Sequence, residues 1–170
     1  MSERDHIDRF LEEIREDLPD LDLEVEGIVD RVSGLSRRFH RQLDDTLAEF
    51  GLTSGEWKVL GALHRGGSKS PGRLAEMFEL SSGAMTNRLD RLEEQKLIER
   101  LPDPDDRRGV RLELTAAGRQ RYKETVHSQA AKEAFVAGAL TPREQQQLNA
   151  LLRKLMLAFE RSEAGKSGLG

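Results

Sequence analysis

The sequence predicts a mainly α-helical chain carrying one small β-hairpin, from three observations. Apolar residues recur at three- and four-residue spacings over most of the 170 residues. That period breaks once: Leu97-Ile-Glu-Arg-Leu and Val110-Arg-Leu-Glu-Leu have strand character, the second in strict alternation. Between them, Pro102-Asp-Pro-Asp-Asp-Arg-Arg-Gly109 is a run of turn formers that closes the two strands into a hairpin with a charged tip.

The helices follow in order. His6 to Leu18 carries Ile7, Phe10, Leu11, Ile14 and Leu18 on one side, and the turn at Pro19 ends it because proline cannot continue the hydrogen-bond ladder. A long helix from about Glu24 to Phe50 has the stripe Val25, Ile28, Val32, Leu35, Phe39, Leu43 and Leu47, with Gly51 as its stop. Thr53 or Ser54 caps a helix holding Trp57, Val59, Leu60 and Leu63, which Gly66-Gly67 terminates. Ser70 then caps a short helix with Pro71 in its first turn and Leu74, Ala75, Phe78 and Leu80 as core residues. Ser81 or Ser82 caps the next, with Met85, Leu89 and Leu92 inward. After the hairpin, Thr115 starts a helix to about Ala137, and Thr141-Pro-Arg-Glu combines a capping box with proline at the first position. The last helix, Pro142 to about Arg161, is apolar at Leu148, Leu151, Leu152, Leu155, Met156 and Phe159, with Met85 and Met156 expected in the core. Residues 162–170 are expected to form a disordered tail.

Composition narrows the function classes. Hydrophobic residues make up 36% and charged residues 34%, which suits a helical protein with exposed charged faces. The chain has no cysteine, which removes disulfides and thiolate metal sites and makes a reducing cytoplasm the simplest setting. No apolar run is long enough to cross a membrane, and the polar start of the chain is unlike a signal peptide. The net charge of -4 is unevenly spread: residues 1–30 hold twelve acids and three bases, a charge of -9, and the rest carries +5. Phosphate contact depends on the local field, so the acidic head leaves DNA binding open and is expected to point away from it. The chain divides into an acidic helical arm (1–22), a main domain (23–161) and the tail.

Two short helices joined by a tight turn and followed by a hairpin form a winged helix-turn-helix. The second helix fits a major groove about 12 Å wide. Ser82, Thr86 and Asn87 fall on its outer N-terminal face, where hydroxyl and amide groups suit base edges, while Arg88 and Arg91 suit phosphate. The hairpin carries Arg107 and Arg108 on a protrusion suited to a narrow, electronegative minor groove. Ordinary helix capping and a solvated turn would use the same residues; the order helix, helix, hairpin favours DNA. Apolar positions in both end helices exceed what one short core consumes, so a homodimer is expected, each Å² buried contributing about 25 cal/mol. Two recognition helices about 34 Å apart would then prefer a palindrome.

The stretch from Leu80 to Thr115 resembles the winged-helix segment of the MarR family, including its wing motif at Asp106, Arg107, Arg108 and Leu114-Thr115. The resemblance extends over roughly residues 25–160. It implies that Arg108 is the minor-groove arginine, that Asp106 braces the wing through an ion pair, and that the first and last long helices dimerise. A finer resemblance, in the segment after Ser81, the Val25–Val32 stretch and the extra N-terminal helix, is to the branch containing PecS and the urate- and trans-aconitate-responsive regulators. In that branch a small anion is gripped by a tryptophan, an aspartate and two arginines. The arginines match Arg88 and Arg100, but the tryptophan position holds Leu18, and the aspartate position holds Lys58 beside Trp57. Lys58 with Arg88 and Arg100 favours a polycarboxylate over urate as the effector.

No cofactor or metal is expected: His6, His40, His64 and His127 share no metal-ligand spacing, and Gly66-Gly-Ser-Lys-Ser lacks the spacing of a phosphate loop. With no nucleophile–base pair in sight, an enzyme is not expected. The expected function is a DNA-binding transcriptional regulator, a repressor released by a small anion. The alternative is a winged-helix protein-interaction module, which the basic wing disfavours.

Overall fold

The caps set the helices. In the computed structural model, which describes residues 3–104 and 109–167, Asp5 opens α1 (His6–Asp17) by accepting from the Ile7 and Asp8 amides, while the Asp8 carboxylate accepts from the Asp5 amide. Asp22 caps α2 (Leu23–Glu49), and Gly51 turns the chain out of it at φ +68°, a left-handed conformation glycine takes without penalty. Thr53 and Glu56 form a capping box at the start of α3 (Ser54–Gly66). Ser70 caps α4 (Pro71–Met77), and Ser81 rather than Ser82 caps α5 (Ser82–Glu94).

Strands β1 (Ile98–Pro102) and β2 (Val110–Leu114) pair antiparallel, with Ile98 opposite Leu114 and Arg100 opposite Leu112. Lys69, from the segment before α4, adds a bridge to Leu112 and ties the hairpin to the helical core. Thr115 then starts α6 (Ala116–Ala137): its hydroxyl oxygen accepts from the Gly118 amide at 3.0 Å. The Thr141–Glu144 capping box opens α7 (Pro142–Ser167).

The core lies among α2, α3, α4, α5 and the hairpin. Leu47, Leu60, Leu74, Met85, Leu89, Leu92, Ile98 and Leu112 are fully buried there, and Phe78 and Leu80 pack against it half-buried. Trp57 and Tyr122 pack with their rings tilted by 32° and centroids 5.9 Å apart. The chain forms two compact units, Met1–Val126 and His127–Gly170.

Two features differ from the sequence reading. Met156 is not a core residue but 59% exposed, because the apolar stripe of α7 stands open in the single chain at Leu151, Leu155 and Phe159 as well. The stripe of α2 is likewise open at Val25, Ile28, Val32, Leu35 and Phe39, in line with the excess of apolar positions expected on the end helices, and only its C-terminal end, at Leu47, reaches the core. Helix α7 also runs on through Ser167 instead of ending near Arg161, since adding a residue to a formed helix needs no new nucleus.

On α2, Arg31 donates to Asp5 at 3.0 Å and to Asp8, holding the start of α1. Gly27 lets α1 approach, because a Cβ there would meet Leu11 at 3.2 Å. The Asp8 amide and the Arg31 guanidinium hold the Asp5 carboxyl at about 2, below its usual 3.8. A depressed carboxylate adds stability above its unfolded value and loses it as pH falls through the folded one. Docking of α1 is therefore expected to be complete above pH 4 and to weaken between about pH 4 and 2. In Arg31→Gln, the Asp5 carboxyl followed by carbon NMR should titrate nearer 3.8; an unmoved midpoint would leave the amides alone responsible.

Candidate nucleic-acid interface

The spacing of Met85, Leu89 and Leu92 buries one face of α5 and turns the other outward. Ser82, Thr86 and Asn87 are exposed on that outer face, near the capped N-terminus. The Thr86 hydroxyl donates to the Ser82 carbonyl at 2.9 Å, so toward a ligand it presents an acceptor. Ser82 and Asn87 have no described hydrogen bond of their own side chains, and Asn87 offers both a donor and an acceptor.

The basic residues separate into different roles. Arg91 points back at Glu56, with Nε 3.2 Å from Oε1, in an ion pair too far off line to be a hydrogen bond. Glu56 is only 1% exposed, and its other oxygen accepts from the Thr53 amide at 2.7 Å. Arg100, on β1, donates to Asp90 at 2.6 Å and to Glu93, both on α5. Arg88 lies over the first turn of α3, against Gly55, where a Cβ would come within 2.4 Å of its guanidinium carbon. No described ion pair involves Arg88. The wing-tip residues Asp106, Arg107 and Arg108 lie outside the described residues, between Pro104 and Gly109.

The residues expected around an anion are only partly brought together. Arg88 reaches α3, which also carries half-buried Trp57 and exposed Lys58, and the Trp57 Nε1 is buried without a hydrogen-bond partner. Arg100 faces its two carboxylates instead. Leu18 is exposed beside a hollow lined by Asp17, Pro19, Asp20 and Leu21, and by none of the other four. Sequence reasoning missed Glu56 and Gly55; the Thr53-Ser-Gly-Glu56 box spacing was the available signal for the first.

The MarR family model matches residues 50–109, from the end of α2 to the start of β2. The multiple antibiotic resistance protein MarR of Salmonella typhimurium is 32% identical over 129 residues, 72% of this chain and 85% of the relative. The chain belongs to the MarR family. Within that family it is also similar to the HTH-type transcriptional regulator PecS of Dickeya dadantii, 28% identical over 149 residues, 86% of this chain and 90% of the relative. Among solved structures, YusO from Bacillus subtilis superposes with a TM-score of 0.75 at 28% identity, covering 81% of this chain and 97% of that one. MepR of Staphylococcus aureus, in a structure bound to an oligodeoxyribonucleotide, shares the fold with a TM-score of 0.64 at 22% identity, over 78% and 97% of the two chains. A MarR-family chain of this kind is a DNA-binding transcriptional regulator and not an enzyme. No helix among the described residues is long and apolar enough to cross a membrane.

Proposed function

We propose that this chain binds a palindromic operator as a homodimer, represses from it, and is released by a small anionic ligand. The exposed polar N-terminal face of α5, on a helix fastened to the hairpin by Arg100, carries this reading. Ser82, Thr86 and Asn87 would read base edges in the major groove, with Arg88 and Arg91 near phosphate. Arg107 and Arg108 would enter the minor groove, braced by Asp106. The open apolar stripes of α2 and, in the second unit, of α7 are surfaces that a second copy would cover. The acidic arm, residues 1–22, would face away from DNA.

For the effector, Lys58 and Arg88 supply free cationic groups and Trp57 Nε1 an unsatisfied donor. Arg100 would join them only by leaving Asp90 and Glu93, and Leu18 would contribute apolar contact. That set suits a polycarboxylate better than urate.

Selection of bound sequences from random duplexes tests the reading directly, repeated with citrate, trans-aconitate and urate. A palindromic consensus is expected, with binding weakened by a polycarboxylate. Arg108→Ala should lower operator affinity by about tenfold to a hundredfold while leaving the dimer intact. The log–log dependence on salt should slope about -0.9 per phosphate contacted. A flat salt response with no enriched sequence would overturn DNA binding in favour of a protein partner.

A further inference from the structure

We infer that the groove between the first turn of α1 and the middle of α2 binds a small organic dianion, a phosphomonoester or dicarboxylate with an apolar body. Its cationic end is a cavity of about 140 Å³ lined by His6, Gly34, Arg37, Arg38 and Arg41. A second cavity of about 260 Å³ shares His6, Gly34 and Arg38 with it and adds Ile7, Leu35 and the paired Asp5 and Arg31, so the two form one groove.

The three arginines at the cationic end of the groove have no carboxylate partner among the described ion pairs. Arg4, Arg31, Arg73, Arg91, Arg100 and Arg111 each have a carboxylate within 3.3 Å. None of the described ion pairs includes Arg37, Arg38 or Arg41, although Asp44 and Asp45 follow within a turn. Arg37 and Arg41 stand four residues apart on one helix, an arrangement of like charges that disfavours the helix unless an anion answers it. One carboxylate, Asp5, lines the groove beside Ile7, and it is already engaged: its oxygens accept from the Ile7 and Asp8 amides and from Arg31.

Shape supports the same ligand. Gly34 is buried, yet a Cβ there would find only Arg37 Nη2, at 3.9 Å, so the absent side chain leaves the floor open. Guanidinium forks offer paired donors that match phosphate and carboxylate oxygens. Ile7, 5% exposed, gives an apolar body a place to lie on the side of the groove away from the α2 stripe. Neither Lys58 nor Arg88 lines the groove, so the site is separate from the effector site proposed above.

Calorimetry on the full chain tests the assignment, with phenyl phosphate and phthalate as separate probes to distinguish the two head groups. Saturable binding of at least one is expected. Arg38→Ala and Arg41→Ala should each weaken it roughly tenfold or more. Arg38→Lys should recover part of the loss, and Arg88→Ala should leave binding unchanged. Operator affinity without probe should stay constant in all three groove variants. Absence of saturable binding, or binding indifferent to Arg38 and Arg41, would overturn the site. So would equal loss in Arg88→Ala, which would move the probe to the other site. A fall in operator affinity without probe binding would assign these arginines to DNA phosphates and also overturn it, while leaving the regulator reading intact.

Discussion

Gly118→Ala is expected to destabilise the fold by about 1–3 kcal/mol or more, as overpacking does in a core that cannot give way. In most helices the same change stabilises, by up to about 1 kcal/mol. Here a Cβ on Gly118 would sit 1.9 Å from the Leu97 carbonyl oxygen and 2.8 Å from its carbon. That backbone cannot step aside. The Leu97 amide is bonded to Leu92 at 2.9 Å, its carbonyl accepts from the Thr115 amide at 3.1 Å, and the Thr115 hydroxyl donates to Lys96 at 2.7 Å. Urea unfolding should therefore show a lower midpoint for Gly118→Ala. Gly72→Ala, where nothing lies within 4 Å, is the control expected to be neutral or stabilising. A neutral Gly118→Ala would mean that α6 and the start of β1 are not locked together as described.

Removing Glu56 should have the next largest effect. Glu56→Ala deletes the acceptor of the Thr53 amide and the partner of Arg91 together, for an expected loss of about 1–3 kcal/mol. Glu56→Gln keeps the acceptor and should retain part of that stability. Arg91→Ala leaves a buried carboxylate without its cation, so it should be costly even though Arg91 itself is largely exposed. In a double-mutant cycle of Glu56→Gln with Arg91→Ala, the two losses should fall short of adding, by about 0.5 kcal/mol or more. Additive losses would deny the pair. Operator binding separates the roles of Arg91: if it also meets phosphate, Arg91→Ala lowers the salt slope by about one contact and Glu56→Gln does not.

The fold was legible where the signals are local. Ser70-Pro71, Thr141-Pro-Arg-Glu144 and the strict alternation of Val110–Leu114 each act within a few residues, and the helices and strands lie where those residues put them. The inward set Met85, Leu89 and Leu92 was equally readable, because one helix period defines it. What could not be read was who answers each charge. Arg91 and Arg100 look alike in sequence, yet one meets Glu56 from another helix and the other spans Asp90 and Glu93 from a strand. Those pairings depend on the distance between elements, which periodicity does not carry. The stripe on α7 was visible for the same reason that the exposure of Met156 was not: a pattern marks an apolar face but does not say what lies against it.

The fastening of α5 has a consequence for kinetics. Glu56 on one side and Arg100 on the other hold the helix to α3 and β1 before any DNA arrives. Its backbone thus gives up conformational freedom on folding, and little ordering entropy is left to oppose association at that helix. Encounter with an operator should then be limited by diffusion and orientation, and differences between operators should appear in how long the complex lasts.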